Sequence, residues 1–232
     1  MSGHHLHNTG LKHGRNWTLL PDDEAVVDWS VQPDQGLVQG PLDLEFLQGR
    51  RVLLTLDPGQ VALLVCDASV QAVYLDGGHM LDVGHGRGQV PSRGNMVFLT
   101  IGRGLKISWN ATAPLAMNGN GPGLIGHCTL AIDGPGRFYD TFLAGNDQWD
   151  EAFIMRLVRQ ATLSALERVL AETGTDSTRL QVRLANLDPS DLDDELVPLG
   201  LSCRTTSLYT AAPPVEAIPS EVTGQFSVPG HN

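Results

Sequence analysis

Two glycine clusters, "GHGRG" at Gly84–Gly88 and "GNGPG" at Gly119–Gly123, invite the first chemical reading of this chain. Each gives Gly-x-Gly-x-Gly, the kind of run that lets backbone N–H groups cradle a phosphate where a helix begins. Neither ends in the Lys-Ser/Thr pair of a P-loop and neither opens a helical pattern, so both read as glycine-rich hairpin turns. No nucleotide or other cofactor is expected. Histidines are the next candidates: "HHLH" at His4–His7, then His79, His85 and His127 beside Cys128. A zinc site needs three or four ligands in fixed geometry, usually with two close in sequence. These residues fall on separate turns and strands, which predicts no metal site and, at most, adventitious binding by "HHLH". The acidic run "DPSDLDDE", Asp188–Glu195, lacks the glycine and the spaced final glutamate of a calcium loop and reads as a capped, solvated helix start.

Nucleophilic catalysis has no better footing. There is no Gly-x-Ser-x-Gly elbow, and Cys66 ends the apolar run "LLVC", where burial raises a thiol pKa and blunts it as a nucleophile. The three cysteines, Cys66, Cys128 and Cys203, stand far apart, which suits buried free thiols in a reducing compartment better than a disulfide framework. The expectation is that the chain is not an enzyme, with no catalytic residue to name. With 15 basic and 26 acidic residues among 232, the formal charge of −11 offers no positive field for a nucleic acid backbone or anionic lipid. No apolar run approaches the roughly 20 residues of a membrane-spanning helix, and the first residues lack a secretory apolar core. The reading is cytoplasmic, without direct membrane insertion or nucleic acid partner, and the sequons at Asn16 and Asn110 are chance matches.

The elements that would carry these residues divide the chain in three. Residues 1–50 form an N-terminal arm with two apolar clusters, "EAVVDW" and "LDLEFL", set between Pro and Gly. Residues 51–211 form the body. In its first part, 51–145, dense Gly and Pro punctuation separates "RVLLTL", "VALLVC", "VQAVYL", "NMVFLTI", "LKISW" and "LIGHCTLAI", each about one strand long, which predicts antiparallel β structure. In its second part, 146–211, "GPGRFYDTFLAGN" leads through a short helix to a long one. Asn146 or Asp147 is placed to cap a helix from Trp149 to about Glu172, in which Ile154, Leu157, Val158, Ala161, Ala165 and Val169 recur at helical spacing, with Gly174 closing it. "RLQVRLANL" reads as a strand, Asp188-Pro189 as a helix cap, and "LSCRTTSLYT" as the last strand. Residues 212–232 are a Pro-containing C-terminal tail. The fold class is α+β: an antiparallel β-rich half, then an α/β half with one long amphipathic helix.

The order of these segments resembles a known superfamily. "LDPGQVALLV" followed by "VQAVYLDGGHMLDVG" is similar to the opening hairpin of the stomatin/prohibitin/flotillin (SPFH, band-seven) domain. "LKISWNATAPLAM" and "GLIGHCTLAIDGPGRFYDTFLAG" resemble the middle strands and short helix of its soluble, virion-core-like bacterial branch, and the long helix with "DLDDELVPLGLSCRTTSLYTA" resembles the remainder. "GPG" at 134–136 stands where the family more often has aspartate-proline. The likeness covers about residues 50–211 and rests on order rather than on one motif. It implies a scaffold that packs beside copies of itself into rings, cages or membrane microdomains and performs no reaction.

The resulting expectation is a homo-oligomeric scaffold. The alternative is a monomeric adaptor or binding module that recruits a protein through arm, tail or groove. Contacts are expected at Trp17, Val26, Val27, Trp29 and Phe46 in the arm, whose apolar clusters need a surface to cover them, and at Trp149, Phe153, Met155 and Leu163 on the long helix. Two readings of that helix stand: an assembly surface, or a helix buried on two sides in its own domain.

Overall fold

The computed structural model describes residues 18–19, 24–28, 36–84, 90–91, 93–114, 123–146, 149–171 and 177–210. Among the described residues, eleven strands and four α-helices run in the order β1 (Thr18–Leu19), β2 (Glu24–Asp28), β3 (Val38–Asp43), β4 (Arg50–Leu56), β5 (Gln60–Cys66), β6 (Ser69–Tyr74), β7 (Gly77–Val83), β8 (Asn95–Thr100), β9 (Leu105–Pro114), β10 (Gly123–Ile132), α1 (Pro135–Phe142), α2 (Glu151–Leu170), α3 (Ser177–Ala185), α4 (Asp193–Leu196) and β11 (Leu201–Thr210). Short 3-10 turns at Glu45–Leu47, Pro189–Leu192 and Val197–Leu199 link them. This is the α+β class that the residue patterns predict, with antiparallel pairing in every ladder but β2–β4, which is parallel from Glu24 opposite Arg51 to Asp28 opposite Thr55.

Three sheets form. The first has the order β1-β2-β4-β7, the second β3-β8-β5-β6 and the third β11-β10-β9. The chain leaves the first sheet at β4, enters the second at β5, and returns from the edge strand β6 to the edge strand β7 across Leu75 and Asp76. Two sheet edges therefore lie on one side of the molecule. The second sheet is covered on both faces, which explains the unbroken apolar run of β5. Ala62, Leu64, Met96 and Phe98 meet Val52, Leu54, Leu81 and Val83 of the first sheet. Val61, Leu63, Val65, Val97 and Leu99 belong to a larger core with α1, α2 and the third sheet.

Helix α2 buries Ile154, Val158, Thr162, Ala165, Leu166 and Leu170, a stripe at helical spacing that faces this larger core. Its N-cap is Asp150, not Asn146, which instead donates from Nδ2 to the Phe142 carbonyl at 3.0 Å and closes α1; Asp147 lies outside the described residues, as does Gly174. A second correction concerns "RLQVRLANL", which forms helix α3 rather than a strand. Leu180, Leu184 and Leu187 sit at i, i+4 and i+7 and are buried, while Val182 is 57% exposed. The cap at Asp188 is as expected. Its carboxylate accepts from the Ser190 backbone N–H at 2.9 Å and hydroxyl at 2.7 Å, and Asp191 answers by accepting from the Asp188 N–H at 3.0 Å.

One close approach fixes α1 against the last strand. The N–H groups of Asp133 and Gly134 both donate to the Gly200 carbonyl at 3.1 Å. Gly200 has φ +79°, and a Cβ there would lie 2.3 Å from the Gly134 carbonyl oxygen, so only glycine fits.

Candidate functional site

Two surfaces stand out, one made by sheet edges and one by a cleft. On the first, β6 and β7 each end a sheet and are joined by the Leu75-Asp76 turn, with Leu75 55% and Met80 58% exposed and Val73 and Leu53 also showing to solvent. The strand register sets Leu53 opposite Met80, and sets Val26 of β2 opposite Leu53. The turn between the edges is held by His79, whose Nε2 donates to the Leu75 carbonyl at 2.6 Å and whose ring meets Tyr74 edge-on at 5.3 Å. Beside β6 opens a groove of about 480 Å³ lined by Leu64, Cys66, Ala72, Tyr74, Val90 and Pro91. Burial pushes the Tyr74 hydroxyl pKa up. It does the same to the Cys66 thiol, with the neighbouring Asp67 charge adding to the effect.

The cleft, about 820 Å³, lies between the ends of β3, β5 and β8 on one side and α1 with the start of α2 on the other. Tyr139, Leu143 and Trp149 form one wall. Trp149 is fixed by a hydrogen bond from its Nε1 to the Leu143 carbonyl at 3.2 Å, and its ring stands nearly perpendicular to Tyr139, 82° apart at 6.3 Å. Asp43, Glu45, Asp67, Arg93 and Asn95 stand opposite. At the start of α2, Glu151 secures this end of the molecule. It accepts from the Leu37 N–H at 3.1 Å and pairs with Arg103 at 3.3 Å.

The expected contact residues do not come together in one place. Trp17 and Trp29 lie outside the described residues, and Val26 and Val27 are described only by backbone and register. Phe46 follows Glu45 at the mouth of the cleft and is 69% exposed, while Trp149 lines the cleft itself. Met155 and Leu163 pack against the larger core. Phe153 is half-buried, with the Arg156 guanidinium 5.4 Å from its ring centre. Leu53, Val73 and Leu75 lie in runs that read as strands without an exposed face marked, and Met80, between Gly78 and Asp82, carried no signal of its own. Tyr139 and the cleft carboxylates gave no signal because they are scattered along the chain.

No three His, Cys, Asp or Glu side chains gather to hold a metal ion among the described residues, and "HHLH" and His85 lie outside them. The cysteines are free thiols. Cys128 and Cys203 meet across β10 and β11. Cys128 is pushed far up, first by its hydrogen bond to Cys203 and then by burial, while the same bond lowers Cys203. No helix among the described residues is long and apolar enough to cross a membrane. No protein-family model and no curated protein sequence matches the chain.

Proposed function

We propose that the protein is a non-enzymatic scaffold of the SPFH type that assembles with copies of itself into a ring, cage or array in a reducing cytoplasm. The observation that carries this is the pair of neighbouring edge strands, β6 and β7, with exposed Val73, Leu75 and Met80. An edge strand presents a row of unpaired N–H and C=O groups, and natural monomers blunt such edges with charge or cover. Val90 already covers the Asp82–Gly84 end of β7, and beside the rest of the two edges stand exposed Val73, Leu75 and Met80, so pairing with another copy there satisfies the backbone and removes apolar area from water together. The order of segments that resembles the SPFH domain supports the same reading, and the three free thiols support a reducing compartment.

The test is particle mass by light scattering over a wide concentration range at low and high salt. Copies carrying −11 each repel, so assembly strengthens as salt rises. Val73→Lys with Met80→Lys shifts the mass toward the monomer. A monomer at every concentration and salt level refutes the scaffold. A second reading, an adaptor that holds a protein partner, is favoured by the cleft with its fixed tryptophan.

A further inference from the structure

Two of the three thiols are neighbours, and neither serves the sheet edges or the cleft. Cys128 lies on β10 and Cys203 on β11. The ladder sets Cys128 opposite Thr206 and Cys203 opposite Leu130, so the two cysteines are diagonal neighbours across the strand pair. Both belong to the larger core, where Cys128 is wholly buried and Cys203 is 6% exposed. Their sulfurs are in hydrogen-bond contact. The register of this ladder shifts between Thr129 and Leu130, leaving Arg204 with no residue opposite it. A bulge disrupts the ladder locally and bends its strand, so β11 can yield one residue from Cys203 as the sulfurs draw from contact into a bond.

The pair is asymmetric. The Cys203 thiol donates to the Thr205 carbonyl at 3.5 Å, so the hydrogen between the two sulfurs comes from Cys128. A donor aimed at a sulfur favours its thiolate, which lowers the Cys203 pKa against the opposing effects of burial and the Asp193 charge. The same bond and burial raise that of Cys128. The sulfur that solvent can still reach is thus the better nucleophile, with a second thiol directly behind it. Cys66 is the reverse, half-exposed but with its pKa raised by burial and by Asp67. A favoured thiolate beside a resolving thiol is the arrangement that oxidants select.

We propose that Cys128 and Cys203 close into a reversible disulfide when the protein meets a peroxide. The Cys203 thiolate attacks one oxygen of hydrogen peroxide, the O–O bond breaks, and the departing hydroxide takes up a proton and leaves as water. Cys128 then attacks the Cys203 sulfenic acid. An S–S bond forms, the S–O bond breaks, and the Cys128 proton leaves with the hydroxyl as a second water. Two thiols are oxidised and one peroxide is reduced. A dithiol reverses the bond by exchange. All four helices lie between the two cysteines along the chain, so the bond ties the entry of the helical half to its exit. Closing so long a loop constrains the unfolded chain strongly and stabilises the fold. This inference is independent of self-assembly and of the cleft.

The test treats the full chain, reduced and then freed of reductant, with hydrogen peroxide at neutral pH. Remaining thiols are blocked with N-ethylmaleimide in denaturant, and tryptic peptides are mapped without reduction. The expected product joins peptide 107–137 to peptide 184–204, with Cys66 still carrying the maleimide. The unfolding midpoint of the oxidised protein rises by roughly 5–15 °C and returns with dithiothreitol. Cys66→Ser forms the same bond. In Cys128→Ala the Cys203 sulfenic acid persists and dimedone captures it, whereas Cys203→Ala leaves Cys128 unlabelled. The peptide map is read on the unaltered chain, so it decides the matter even where a variant fails to fold. Oxidation of Cys66 ahead of the pair, a bond that includes Cys66 or joins two copies, no bond at peroxide levels that spare the methionines, or an oxidised midpoint no higher than the reduced one overturns the proposal.

Discussion

Replacing Gly200 by alanine tests how α1 is held, and a second glycine provides the control. Gly145 has φ +74° with nothing within 4 Å of an added Cβ, so Gly145→Ala carries backbone strain alone. A left-handed alanine costs about 1–2 kcal/mol, and stiffening the unfolded chain returns about 0.4–1, leaving a loss near 1 kcal/mol. Gly200→Ala carries the same strain at φ +79° and adds a methyl 2.3 Å from the Gly134 oxygen and 2.5 Å from the Phe138 nitrogen. Both neighbours are backbone, one of them inside α1, so the helix must move as a body. Overpacking of this kind costs about 1–3 kcal/mol more, for a total near 2–4 kcal/mol. At about 2–4 °C per kcal/mol for a chain of this size, the midpoint falls by roughly 5–15 °C, against about 4 °C or less for the control. Thermal and urea unfolding of both variants provide the assay. Losses equal to within about 0.5 kcal/mol would refute the close-approach argument, since strain alone then accounts for both.

Three further outcomes follow from named contacts. Hydrogen bonds from the Ser190 side chain and backbone hold the Asp188 carboxyl below its ordinary 3.8, so its stabilising contribution is complete above that value and is lost as pH falls through the lower folded one. Asp188→Asn should therefore flatten the acid limb of stability in urea titrations from about pH 5 towards 2, and parallel curves for the two proteins would count against the cap. In the folded protein at neutral pH, iodoacetamide should modify half-exposed Cys66 slowly and leave buried Cys128 untouched until unfolding; peptide mass spectrometry reads both, and rapid labelling of Cys128 would contradict its burial. Glu151→Ala, which removes the acceptor for the Leu37 N–H, should cost about 1–2 kcal/mol and speed hydrogen exchange at Leu37, with Glu151→Gln retaining most of the protection because the exposed Arg103 pair contributes little.

The succession of strands along the body, the long helix and the Asp188 cap were legible because each rests on local signals: glycine punctuation, one apolar stripe, a carboxylate before proline. Helix α3 was misread because Leu180, Val182 and Leu184 alternate as a strand would, while Leu180, Leu184 and Leu187 also fit a helix. Docking beneath β11 decided between two periods that the residues satisfy equally. The parallel β2–β4 pair had no local signal, since parallel partners are distant in sequence and join without a turn to mark them. Leu53 was hidden for a different reason. In "RVLLTL" its neighbours Val52 and Leu54 are buried, and an unbroken apolar run gives no hint that one member points outward. The cleft draws on residues from Gly40 to Trp149, so of its lining only Trp149 drew notice as an aromatic.

The middle sheet has a consequence for how disturbance spreads. Leu63 and Leu64 are bonded neighbours on β5, yet the first belongs to the compartment shared with the helices and the second to the compartment shared with the first sheet. β5 is thus a party wall. Reporter groups placed at these two consecutive positions sample separate rooms, and loosening either room moves a strand that the other also leans on. A load applied at the β7 edge reaches the helical half through this wall, while one applied at β6 also acts on α1 directly, where Val70 packs against the larger core, so the outer sheet and the helical half are mechanically answerable to each other.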